Sequence, residues 1–146
     1  MGAWGISNFD NDAAGDWLYD FSENSTIDFL TETIEAVFKE EYIESDISSA
    51  TLAAIESIAL IKGDSNEDID ELEGVKIKKI KKSLNAEIFK KCILSIDKIL
   101  SKENNELYEL WEESESFEDW INEVKDLRNR IQRLETRSSK SGNFEK

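Results

Sequence analysis

The chain is 146 residues long and carries 33 acidic side chains against 18 basic ones, with no histidine. That length bounds a single domain around one core, and 39% hydrophobic residues with four Trp supply the core, so the net charge of −15 does not impose disorder. The absence of His removes the usual neutral-pH base and the commonest metal ligand. The single Cys excludes an internal disulfide, and no Pro with only six Gly excludes collagen-like and turn-dense all-β classes.

The opening stretch, residues 1–12, holds Trp4 and Phe9 between glycines and reads as an ordered N-terminal arm. A first helix is predicted from Asp10–Asp12, whose side chains can cap its first turn, through Trp17, Leu18 and Phe21. A second starts at Ser25, with Asp28 at capping-box spacing, and repeats Ile27, Leu30, Ile34, Val37, Phe38 and Tyr42 at intervals of three and four. Residues 50–63 are apolar nearly all round, which makes them the central helix, with Gly63 as its C-terminal cap. Trp4 and Trp17 are expected to be buried against its Thr51–Ile61 stretch, because large aromatics beside small residues need an apolar surface.

Residues 64–74 are polar and form the best loop candidate. Val75, Ile77, Ile80 and Leu84 resume a helical spacing among lysines, although the alternation also fits a short strand. Asn85 can cap the next helix, in which Cys92 shares an apolar face with Ile88, Ile96 and Ile99 and so reads as core, not nucleophile. A short helix carries Leu107, Leu110 and Trp111. The last opens at Ser116 and places Phe117, Trp120, Val124, Leu127, Ile131 and Leu134 on a narrow seam of coiled-coil type. The expectation is an all-α, compact single-domain bundle of six or seven helices over residues 1–135, followed by a polar, frayed tail over 136–146.

Charge is distributed in blocks. Residues 1–73 carry 19 acids against Lys39 and Lys62, a net −17, whereas 74–102 carry nine lysines against Glu87 and Asp97, a net +7. A nearly base-free half disfavours nucleic acid and favours a basic protein partner. The acids expected to meet it are Asp28, Glu32, Glu35, Glu40, Glu41 and Glu44 in and after the second helix, and Asp64, Glu67, Asp68 and Asp70 in the loop. Lys76, Lys78, Lys79, Lys81 and Lys82 read most simply as a face that neutralises the acidic half. Two Asp-rich loops approach the calcium-binding pattern, but Phe21 and Val75 stand where the essential bidentate carboxylate belongs, so no metal or other cofactor is expected.

The opening motif, MGAWG, then FDND, then Asp16-Trp17, with Glu106–Glu113 further on, resembles a family of small bacterial proteins filed as a domain of unknown function. The resemblance implies a bacterial, cytoplasmic, single-domain helical protein and brings no activity, ligand or catalytic residue. Trp4, Phe9, Trp17, Trp111 and Trp120 are read as packing anchors. No leader and no apolar run of the roughly 18 residues that mark a membrane span occur, in keeping with a cytoplasmic location. The expected function is non-enzymatic: an acidic, monomeric binding module, most concretely an immunity-type inhibitor of a toxin or nuclease. The alternative is an adaptor that self-associates through its last helix.

Overall fold

The computed structural model describes residues 5, 7–65 and 77–144, with side chains as far as Ser139. Among them are seven helices and no strand: α1 (Asp12–Glu23), α2 (Ile27–Glu35), α3 (Ser45–Ile61), α4 (Ile77–Ser83), α5 (Ala86–Ile99), α6 (Glu106–Glu112) and α7 (Phe117–Phe144), with a 3-10 turn at Ala36–Phe38. The fold is all-α, and α4 settles the helix-or-strand ambiguity of the lysine-rich block in favour of helix. The predicted loop over 64–74 lies outside the described residues from 66 onward.

Four helices start on a side-chain cap, because an oxygen that accepts an otherwise unpaired N–H of the first turn fixes where winding begins. Asn11, Thr26, Asn85 and Asn105 accept from the backbones of Ala14, Phe29, Ile88 and Tyr108. Asn11 falls within the predicted Asp10–Asp12 start, whereas the expected cap at Ser25 is corrected to Thr26. Ser25 is spent closing the helix before it, its Oγ donating to the Phe21 carbonyl at 2.8 Å. At the other end of α3, Gly63 adopts φ +81°. Its N–H and that of Asp64 donate to Leu60 and Ala59, a Schellman closure that a glycine allows without steric cost.

The second helix ends at Glu35, well before the predicted Tyr42. The chain leaves the helix because Ile43 is tied elsewhere: its N–H donates to the Asn104 carbonyl at 2.8 Å and its carbonyl accepts from Glu106 at 2.9 Å, an isolated parallel bridge to Asn105. Asn104 takes φ 54° to present that carbonyl, a conformation Asn tolerates better than most residues. Residues 39–44 thus form a strap pinned across the start of α6.

The core centres on α3, whose residues 51–59 are all buried, with α1, α2, α6 and α7 packed on it. Trp17 stacks on Phe21 and Phe29 with centroids 5.0 and 5.8 Å away, and its indole N–H donates to Thr33 Oγ1 at 2.9 Å. These ring and hydrogen-bond partners lie on α1 and α2, and α3 enters one step further on, through Thr51 Oγ1 donating to the Thr33 carbonyl. Trp4 lies outside the described residues. Phe9, Trp111 and Trp120 are buried, and the last two stack at 5.9 Å. Gly5 sits so close to the Asp10 side chain that a Cβ there would collide with its carboxylate.

The apolar seam of α7 packs chiefly on α5, with Trp120, Val124, Leu127, Ile131 and Leu134 all buried within the chain. The seam is therefore already covered, and pairing with another copy would require prising it from α5. Beyond the seam the helix does not stop at Thr136, where a frayed tail was expected, but runs to Phe144. Ser139 donates to Glu135 one turn back, and Arg137 reaches the Asp64 carboxylate at 3.6 Å.

Candidate functional site

Two sets of charged residues stand out, one buried and one exposed. The buried set centres on Glu56, a single carboxylate among the apolar side chains of α3 and only 1% exposed. Arg130 of α7 forks onto it, Nη1 donating to Oε2 at 2.6 Å and Nη2 to Oε1 at 2.9 Å. Asn8 from the N-terminal arm donates to Oε1 at 3.0 Å, and Ser65 donates to Oε2 at 2.7 Å. Burial pushes the Glu56 carboxyl up, but the hydrogen bonds from Arg130, Ser65 and Asn8 and the guanidinium charge outweigh it and hold the group below its ordinary value. Arg130 also donates to the Asp64 carbonyl at 2.9 Å and to Asp126 Oδ2 at 2.9 Å. The cluster locks the arm, α3, the start of the 64–65 segment and α7 together. Every oxygen of the carboxylate is occupied, so it is a structural lock and not a catalytic acid.

Sequence reasoning missed this lock, although a signal was present. Glu56 is the only charge in the apolar stretch 50–61, so it had to find a buried cation; the first 73 residues offer only Lys39 and Lys62, which points to the basic second half.

The exposed set is the acidic surface. Asp28 and Glu32 lie on the outer face of α2, and Glu40, Glu41 and Glu44 lie on the strap; all five are exposed and none makes an ion pair among the described residues. Two other candidates are engaged within the chain. Glu35 accepts from Lys91 at 2.8 Å, and the Asp64 side chain faces Arg133 at 3.3 Å as well as Arg137. Both of these acids therefore meet cations of the chain's own second half. Glu67, Asp68 and Asp70 lie outside the described residues.

The lysines of α4 were expected to neutralise the acidic half. Lys78, Lys79, Lys81 and Lys82 are exposed and make no ion pair among the described residues; the intramolecular pairs come from α5, α7 and Lys102 instead. Lys76 lies outside the described residues; within them, the acids of α2 and the strap and the lysines of α4 form no ion pairs with one another.

A groove of about 360 Å³ between the starts of α1 and α3 is lined by Asn11, Asp12, Asp16, Ser45, Asp46 and Ser49. Among the described residues no group of three or more carboxylates and thiols is placed to share a metal ion. Cys92 is fully buried on α5, and burial pushes its thiol up, away from the thiolate form that a nucleophile needs.

The arrangement defines an all-α protein with a locked core and an exposed, unpaired acidic surface. The chain belongs to a family described as a domain of unknown function (DUF4259), which matches residues 2–123. Neither a curated protein nor a solved structure matches the chain. No described helix is long and apolar enough to cross a membrane.

Proposed function

We propose that this protein is a non-enzymatic binding module that docks its acidic surface onto a basic protein, acting as an immunity-type inhibitor of a toxin or nuclease. One observation carries the reading: Asp28, Glu32, Glu40, Glu41 and Glu44 are exposed and make no ion pair among the described residues, in a chain that pairs Glu35, Glu56, Asp64 and Asp97 with its own cations. Carboxylates left free on contiguous elements generate a potential that steers a cationic partner and repels nucleic acid. An inhibitor of this kind needs no catalytic group, only a rigid surface, which the Glu56–Arg130 lock and the buried seam provide. In this reading the protein works as a cytoplasmic monomer, and the packing of the α7 seam on α5 favours the monomer.

The test is co-purification of the tagged chain from its native host at low and at moderate salt. A strongly basic protein retained at low salt and weakened by added salt supports the reading. Retention of nothing, or of an acidic protein, contradicts it.

A further inference from the structure

Four large hydrophobic side chains are exposed among the described residues, and three of them border one junction: Phe38 at 50%, Tyr42 at 44% and Leu94 at 58%. Phe38 ends the 3-10 turn, and Lys98 of α5 sits over its ring at 5.9 Å. Leu94 is one helical turn from Lys98, so the two share a face of α5. Tyr42 is on the strap, and its hydroxyl donates to Glu109 of α6 at 3.2 Å. Asn105, which pairs with Ile43 next to Tyr42, also donates to the Lys98 carbonyl, so the strap and the end of α5 meet at the same point.

These side chains are held outward by their neighbours. Their chain neighbours Val37 and Ile43 are buried at 0% and 2%, while Phe38, at the end of the 3-10 turn, and Tyr42 stay exposed. Ile43 is fixed by two backbone hydrogen bonds, so displaying Phe38 and Tyr42 costs little ordering entropy when something binds. Around them the strap carries Glu40, Glu41 and Glu44, exposed and without an ion pair among the described residues, beside one exposed cation, Lys39. Rigid aromatics with a charged rim are the anatomy of a protein interface centre. The strap carries three acids against the single Lys39, and that acidic excess sets the chemistry of the occupant.

We infer that the strap of residues 39–44, together with Phe38 and Leu94, is the docking centre for a basic segment of another protein: its apolar face covers Phe38, Tyr42 and Leu94, and its Arg or Lys side chains meet Glu40, Glu41 and Glu44. The inference rests on the acidic-docking reading above and gives it a location.

The probe is a fluorescein-labelled amphipathic peptide with Leu on one face and Arg on the other, titrated at low salt and followed by anisotropy. The variants are the triple Phe38→Ala, Tyr42→Ala, Leu94→Ala; the double Asp28→Asn, Glu32→Gln on α2; and Tyr19→Ala, an exposed aromatic of α1 that serves as control. Circular dichroism confirms that each keeps its helices. The triple variant is expected to weaken binding about tenfold or more, and Tyr19→Ala to change it by less than about twofold. A triple variant that binds like the natural chain, while the α2 double variant loses binding, overturns the strap as the centre and leaves acidic docking standing. A natural chain that does not bind the peptide overturns both. A chain that runs as a dimer in gel filtration, dissolved by the triple variant, makes a second copy the occupant and overturns the assignment to a basic partner.

Discussion

Glu56 and Arg130 are each intolerable to the core alone and acceptable together. Removing one partner of such a pair strands the other charge, so Glu56→Gln is expected to cost about 3–5 kcal/mol in a urea melt. Replacing both, Glu56→Leu with Arg130→Met, is expected to recover most of that loss, because the desolvation of the charges disappears with the attraction. The pH dependence has a definite sign. The Glu56 carboxyl lies below its ordinary value in the folded chain, so its stabilisation is fully present above about pH 4.5 and is lost as pH falls through the folded value. Glu56→Gln should flatten the acid limb of a stability–pH curve; an unchanged limb would show that other carboxylates dominate it. Trp17→Ala, which removes a stacked ring and orphans the Thr33 hydroxyl contact, is expected to cost about 3–5 kcal/mol in the same melts.

Asn105 is the smallest part on which several elements depend. Its side-chain amide donates to the carbonyls of Lys98, Ile99 and Ser101 at the end of α5, while its Oδ1 caps α6 and its backbone faces Ile43. Asn105→Ala is expected to cost about 2–4 kcal/mol and to speed hydrogen exchange at the Ile43 and Glu106 amides before the rest of the fold. Exchange there that stays as slow as in the natural chain would mean the strap holds without this residue. Elements of this kind show how far a sequence can be read. The apolar faces of α3, α5 and α7 recur at helical spacing and were legible, as was the Gly63 stop, because periodicity and a missing Cβ are local properties. The strap was read as the continuation of α2, since Val37, Phe38 and Tyr42 keep the helical spacing; the tie that ends the helix comes from Asn104 and Glu106, far away in the chain. The cap at Thr26 lies one residue from the expected Ser25, because several polar residues compete there. The acids of the candidate surface could be counted but not sorted, because whether Glu35 or Asp64 is paired depends on where α5 and α7 bring their cations.

For the molecule as a whole, charge is used in two ways. Cations of α5 and α7 pair with Glu35, Asp64 and Asp97 at the surface and with Glu56 in the core, while Asp28, Glu32, the acids of the strap and the described lysines of α4 are exposed to solvent. Exposed pairs contribute little to stability, so neutralising the free acids should leave the melting temperature nearly unchanged or raise it slightly by relieving repulsion. Binding is where they should matter. The most direct measurement is a calorimetric titration of the basic partner retained in co-purification, into the natural chain and into the variant Asp28→Asn, Glu32→Gln, Glu40→Gln, Glu41→Gln, Glu44→Gln, at two salt concentrations. The account predicts an affinity that falls with salt for the natural chain, drops about tenfold or more in the variant, and loses most of its salt dependence there. Equal affinity and equal salt dependence in the two chains would contradict it.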